Sequence, residues 1–199
     1  MTSHLTVVKI GGSLVSDADR LRAVLSGLAA GKDGPCVVVP GGGAFADAVR
    51  ASQTALGFDD ALAHRLALDA MGRMAEVFRA LEPRLHRAAT WEDAAAILAR
   101  GGTPVWDPVA LKAGSPDIPE TWAVTSDSLA VWLATQWGAP RCVLVKSTDR
   151  PPGATLPDLA RLGLVDAACP DFAGRYPGTI EIRGPGGSGT GLAGTRNAA

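Results

Sequence analysis

The sequence predicts an α/β protein whose mostly parallel sheet is covered by helices on both faces. Three observations carry this. Short apolar runs (Leu5 to Ile10, Cys36 to Val39, Arg141 to Val145) alternate along the chain with stretches of helical spacing. The runs are rich in β-branched residues and lack the polar alternation of a strand with one wet face. Glycine turns follow the first two, at Gly11-Gly12 and Gly41-Gly42-Gly43, so strand, glycine turn and helix occur twice in succession. Ligands of such sheets gather beyond the carboxyl ends of the strands.

Each element has a local reason. Ser16 is placed to cap a first helix, with Asp19 three residues on and Leu21, Val24, Leu25 and Leu28 at helical spacing before Gly31. Pro40 closes the second strand, and a helix carrying Phe45, Ala48, Val49 and Ser52 on one side follows. From about Asp59 to Leu81, the residues Ala67, Ala70, Met71, Met74, Val77, Phe78 and Leu81 form a buried stripe, and Pro83 ends it. Thr90 caps a helix through Arg100, with Val105-Trp106 as a short strand after it. The segment from Asp107 to Glu120 reads as an ordered loop. Thr125-Ser126-Asp127-Ser128 opens a helix that runs toward Gly138, and the strand Arg141 to Val145 delivers Lys146-Ser147-Thr148-Asp149 at its end. A short helix over Pro157 to Leu162 and a final strand over Thr179 to Ile182 complete one domain, 1–183. The glycine-rich segment 184–199 is expected to be a disordered tail.

Composition limits the function classes. With 47% hydrophobic and 20% charged residues in 199, the chain is ordinary for a globular protein, and a net charge of -1 gives no drive toward nucleic acid or anionic membrane. Cys36, Cys142 and Cys169 are odd in number and lack CxxC spacing, which argues against a disulfide framework and a zinc knuckle. The first strand starts within a few residues of Met1 and no later apolar run is long enough to cross a bilayer, so the expectation is a soluble, cytoplasmic protein.

The most informative residue is Lys9. A lysine inside a strand covered on both faces needs an anionic partner or must lose its charge. Gly11 and Gly12 behind it let a ligand approach the backbone. The order is not that of a P-loop, whose lysine follows its glycines. Gly41-Gly42-Gly43 offers successive amides beside a helix N-terminus, which suits an anion. The same stretch fits a relaxed dinucleotide pattern, GxGxxA over Gly41 to Ala46, but the acidic residue that pattern wants at the end of the next strand is replaced by Asp59 and Asp60 before a helix. Asp127 reads as a helix-cap carboxylate that can also orient a lysine or help hold nucleotide-bound magnesium. Asp59, Asp60 and His64 lie on one helix face without an evident third ligand, so no metal site is assigned.

Taken together, Val7-Val8-Lys9-Ile10-Gly11-Gly12-Ser13, Val37-Val38-Val39-Pro40-Gly41-Gly42-Gly43, Thr125-Ser126-Asp127-Ser128 and Lys146-Ser147-Thr148-Asp149 resemble the amino acid kinase superfamily in order and spacing. Within it, the short length, Gly43-Ala44-Phe45-Ala46-Asp47, Asp59-Asp60 with Ala63-His64, and Trp122 resemble the small kinases of methanofuran biosynthesis, which phosphorylate an aminomethyl-furanmethyl phosphate to its diphosphate. The resemblance implies a three-layer α/β/α sandwich, ATP and Mg2+ as cofactors, a small-molecule phosphate acceptor as partner and a homo-oligomer. It implies Lys9 and Asp127 as catalytic residues, with Asp127 orienting Lys9. Gly11, Gly12 and Ser13 would hold the transferred phosphoryl, Gly41, Gly42 and Gly43 the acceptor, and Lys146, Ser147, Thr148 and Asp149 would edge the nucleotide pocket. The superfamily's usual Thr-Asp-Val-Asp-Gly continuation is replaced after Asp149 by Arg150-Pro151-Pro152-Gly153, and Lys146 is the last lysine of the chain. Lys146, Arg150, Arg161 and Arg175 are the candidates for the missing donor-side lysine. The rival readings are a non-catalytic nucleotide- or oxyanion-binding protein of the same fold and a dinucleotide-dependent oxidoreductase.

Overall fold

A computed structural model describes residues 4–188 and 192–193. Six parallel strands form the body of one sheet: β1 (Thr6–Ile10), β2 (Cys36–Pro40), β3 (Leu85–Ala88), β4 (Thr103–Trp106), β5 (Arg141–Val145) and β6 (Thr179–Gly184). Their spatial order is β3-β4-β2-β1-β5-β6, so β1 lies between β2 and β5. Two short antiparallel strands, β7 (Gly187–Ser188) and β8 (Leu192–Ala193), pair with β6. The rest of the segment expected to be disordered, 189–191 and 194–199, lies outside the described residues.

Helices α1 (Ala18–Ala29), α2 (Gly43–Leu56), α3 (Asp60–Leu81), α4 (Trp91–Ala99), α5 (Ser126–Gln136), α6 (Leu156–Arg161) and α7 (Cys169–Arg175) complete a three-layer α/β/α sandwich. Alternation along the strands divides the core. Val8, Ile10, Val38, Val143 and Val145 face α1, where Leu21, Leu25 and Leu28 pack with Phe78 of α3. Val7, Val39, Cys142 and Leu144 face the other way, toward Leu129, Ala130 and Leu133 of α5 and Phe172 of α7. Both strand faces are dry, which is why the sequence shows apolar runs instead of alternation.

Several expectations are refined. The cap of α1 is Asp17, whose carboxylate accepts from the Arg20 amide; Ser16 closes a 3-10 turn over Gly12–Ser16 and donates to the Ser13 carbonyl instead. Thr90 caps α4 as expected, and α3 is capped by Asp59, whose carboxylate accepts from the Leu62 amide. The stretch read as a loop holds a 3-10 segment, Pro108–Ala113. β3 and α7 were not legible: Leu-His-Arg-Ala exposes its two middle residues at the sheet edge, and Cys-Pro-Asp-Phe-Ala-Gly-Arg is too short for a helical period to emerge.

Candidate active site

The carboxyl ends of β1, β2 and β5 open into a cavity of about 610 Å3. Sheet register explains what points into it. Lys9 follows Val7 with a period of two, and Lys146 follows Leu144 likewise, so both lysines emerge on the α5 face from adjacent strands. Asp127, in the first turn of α5, meets them there. Its Oδ1 lies 2.8 Å from Lys9 Nζ, and both its oxygens accept from Lys146 Nζ at 2.7 Å. All three side chains are buried, at 5%, 4% and 7% exposure for Lys9, Asp127 and Lys146.

One carboxylate therefore serves two ammonium groups, leaving a formal +1 at the cavity floor. Burial alone would raise the Asp127 carboxyl, but the charges of Lys146 and Lys9 outweigh it and hold the carboxyl far below the usual range. Lys146 moves down as well: burial disfavours its charge, and Asp127's attraction is offset in part by repulsion from Lys9. The asymmetry is physical, since the carboxylate sees two cations while each cation sees a shared anion and a like neighbour. A second anion entering the cavity would relieve it.

Asp127 is itself held by a residue the sequence reading missed. Asp166 accepts from the Thr125 amide at 3.0 Å, the Thr125 hydroxyl at 2.8 Å, the Ser128 amide at 3.0 Å and the Ser128 hydroxyl. Its own amide donates to Asp127 Oδ2 at 3.3 Å. The cap of α5 thus comes from a loop far along the chain, whereas Thr125 makes no side-chain cap bond. No local pattern announces such a long-range cap.

The two glycine loops form one cradle. A Cβ on Gly12 would sit 2.5 Å from the Gly43 nitrogen, and one on Gly41 2.6 Å from the Gly12 nitrogen. Both contacts are backbone on backbone, so these positions admit only glycine without displacing a loop. The Gly41 amide donates to the Ile10 carbonyl and the Gly11 amide to the Val145 carbonyl, which extends the ladder from β2 through β1 to β5 past the strand ends. Gly43, at φ +54, starts α2, whose first-turn amides have no partner within the helix.

Ser13 and Ser147 meet through their hydroxyls at 3.0 Å, across the mouth between β1 and β5. Ser147 and Thr148 line the cavity beside Gly163, Leu164, Val165 and Ala167, an apolar wall after α6 that was not anticipated. Asp149 is placed elsewhere: it accepts from the Gly186 amide at 2.8 Å and holds the turn between β6 and β7. Of the candidate donor-side cations, Lys146 alone is among the cavity-lining residues. Arg150 donates to the Ala154 carbonyl, Arg161 pairs with Asp158, and Arg175 lies over the Phe172 ring.

On the opposite side the wall consists of α2, α3 and the segment before α5. Arg50 lies 4.0 Å over the Trp122 ring, and Trp122 Nε1 donates to Gln53 Oε1 at 2.6 Å. His64, 4% exposed, lines this side with Leu68 and Met71. Asp59 and Asp60 are occupied at the start of α3, by the Leu62 amide and by Gln53.

The chemistry of this site is anion handling: two lysines on one aspartate, facing two abutting glycine loops. The amino acid kinase family model matches residues 4–82, which include Lys9 and both loops. Over those residues the chain is similar to the amino acid kinase family. A [5-(aminomethyl)furan-3-yl]methyl phosphate kinase from Methanocaldococcus jannaschii is 29% identical over 143 residues, 72% of this chain and 66% of that relative. The chain thus spans just under two thirds of the curated relative's length. Among solved structures, uridylate kinase from Archaeoglobus fulgidus shares the fold at a TM-score of 0.64 with 15% identity, over 90% of this chain and 89% of that one. Aspartate kinase from Synechocystis does so at 0.62 with 18% identity, over 90% of this chain and 38% of that one. The sheet order, β3-β4-β2-β1-β5-β6, differs from the 3-2-1-4-5-6 order of the dinucleotide-binding fold that GxGxxA alone would suggest.

Proposed function

We propose that the protein is an ATP-dependent kinase that transfers a phosphoryl group to a small phosphorylated acceptor, and that the acceptor is [5-(aminomethyl)furan-3-yl]methyl phosphate, converted to its diphosphate. The observation that carries the reading is the pair of lysines on Asp127. Phosphoryl transfer asks a protein mainly for positioning and for neutralisation of charge on the transferred group, and needs no protein nucleophile. Lys9 and Lys146, fixed by Asp127 and indirectly by Asp166, supply that neutralisation in a site prepared before the substrates arrive. Lys146 takes the place of the later lysine that the chain lacks.

The acceptor's phosphate oxygen attacks the γ-phosphorus. The new P–O bond forms as the bond to the β-phosphate oxygen breaks, and ADP leaves. Gly12 and Ser13 hold the transferred group and Gly42 and Gly43 the acceptor phosphate, while the amides of Gly11 and Gly41, expected to share in this, are spent on the Val145 and Ile10 carbonyls; Ser147 and Thr148 with the apolar wall after α6 border the nucleotide. Asp127's oxygens are committed to lysines and Asp166's to the α5 cap, so Mg2+ would be held chiefly by the nucleotide's own phosphates and would add charge neutralisation there. A cytoplasmic homo-oligomer fits this reading.

The test is incubation with ATP, Mg2+ and the furanmethyl phosphate, followed by chromatography of nucleotides and acceptor. ADP and the diphosphate in equal amounts are expected. ATP binding without ADP formation over a broad acceptor panel would reject the kinase and favour a nucleotide-binding protein.

A further inference from the structure

His64 has no part in the charge handling described above, yet it is buried in the cavity wall with Leu68 and Met71. Its Nδ1 lies 3.3 Å from the carbonyl oxygen of Thr121. A carbonyl oxygen only accepts, so the proton of that bond sits on Nδ1. In the neutral ring this leaves Nε2 as a lone pair. Burial is the leading influence on the ring and moves its pKa below the usual histidine value, against the Thr121 bond and the Glu120 charge. Burial thus favours the neutral imidazole, which lines the cavity together with Lys9, Arg50 and Lys146 and with Asp47, Asp127 and Asp166.

The wall that carries His64 is fastened. Arg65, its neighbour on α3, pairs with Glu120 at 2.6 Å; the Thr121 carbonyl takes the His64 proton; Trp122 is tied to Gln53 and stacked under Arg50. Three successive residues before α5 are thus each pinned to α2 or α3, which fixes the tautomer and the ring position before any ligand binds. The cavity is lined by Lys9, Arg50 and Lys146 and by Asp47, Asp127 and Asp166, with the two lysines together at its floor, so a fixed acceptor lone pair on its wall suits a hydrogen-bond donor on the far end of a ligand whose anionic end meets the lysines.

We propose that His64 is the specificity residue for the acceptor, accepting through Nε2 a hydrogen bond from an ammonium or amine group carried at the end remote from the acceptor's phosphate. This rests on the kinase reading for the identity of the acceptor side, but it concerns binding and is measurable without turnover. It assigns the acceptor class as aminoalkyl phosphate esters, a molecule positive at one end and anionic at the other.

The experiment is calorimetric binding of two acceptors, the aminomethyl furanmethyl phosphate and the same ester with methyl in place of aminomethyl, to wild type and His64→Asn. Asparagine can still donate to the Thr121 carbonyl from near the Nδ1 position but places no acceptor at Nε2. Loss of a hydrogen bond to a charged group predicts a fall in affinity of about 10- to 100-fold for the amino acceptor, and less than about threefold for the methyl one. Melting of His64→Asn within a few degrees of wild type would show that the wall is intact, and His64→Gln, which restores an oxygen near Nε2, should recover part of the loss. Equal losses on both acceptors, or none on either, would overturn the assignment, as would failure of both acceptors to bind wild type. If the selective loss appears but ATP is not consumed, the His64 assignment stands and the kinase reading falls.

Discussion

Replacing Asp127 by asparagine isolates what the shared carboxylate does. Lys9 and Lys146 both contact Oδ1, so their ammonium groups lie within about 5.5 Å of each other. Two like charges at that distance repel by about 3 kcal/mol at an effective dielectric of about 20. Removing one partner of a buried ion pair typically costs about 3–5 kcal/mol, because it strands the remaining charge. For a domain of this size each kcal/mol moves the melting temperature by about 2–4 °C, so Asp127→Asn should lower Tm by about 6–20 °C. Adding Lys9→Met to that variant removes the repulsion and should return about 3 kcal/mol. By contrast, Lys9→Met alone leaves Lys146 paired with both carboxylate oxygens and should change stability by no more than about 1–2 kcal/mol. The pH dependence has a definite sign. A carboxyl held below its unfolded value of about 3.9 contributes fully above that value and loses its contribution as pH falls through the lower folded value. The gap in Tm between wild type and Asp127→Asn should accordingly hold from about pH 5 to 8 and close in stronger acid. Differential scanning calorimetry on the four proteins measures all of this. If Asp127→Asn melted within 2 °C of wild type, or if the added Lys9→Met lowered Tm further, the view of one carboxylate restraining two mutually repelling lysines would be wrong.

Three further outcomes are expected. Gly12→Ala forces its new Cβ into the Gly43 backbone and should cost about 1–3 kcal/mol in urea unfolding while lowering kcat/KM, because the displaced loop carries the amides proposed to bind phosphate. Asp166→Ala removes the acceptor for the Thr125 and Ser128 amides and should cost about 0.5–2 kcal/mol as a lost cap, with kcat reduced on the order of tenfold as Asp127 loses its amide donor. The cysteines are all buried, and burial pushes the Cys36 thiol up to about 12 and those of Cys142 and Cys169 above their ordinary values as well. A disulfide reagent at pH 8 should leave the native protein unmodified over an hour and react with three thiols after unfolding; fast modification of the folded protein would contradict the packing.

The fold and the centre of the site were legible because both arise from patterns local to the chain. Dry strands on both faces give apolar runs, and Lys9 interrupts one of them, so its charge had to be answered at the strand end. The glycines of both loops are readable for a similar reason: backbone approaching backbone excludes every side chain, and the sequence records that at Gly12 and Gly41. Asp166 was not readable, since it caps α5 from a segment with no periodicity of its own. His64 was legible only as part of a helix face with Asp59 and Asp60 and of the resemblance; its tautomer, set by a carbonyl 57 residues away, was not. Lys146 was read as the edge of the nucleotide pocket. Its place beside Lys9 became evident only from the register of β1 with β5, which puts Lys9 opposite Leu144 and brings the next inward residue of β5 to the same carboxylate.

The most direct test of the central claim, that two lysines on one aspartate neutralise the transferred phosphoryl group, is the turnover of Lys146→Met with ATP, Mg2+ and the furanmethyl phosphate. Loss of one prepared electrostatic donor predicts a fall in kcat of about 10²–10³, matching that of Lys9→Met. A Lys146→Met enzyme within a few fold of wild type would contradict the claim and return the donor-side charge to a residue outside the Asp127 cluster.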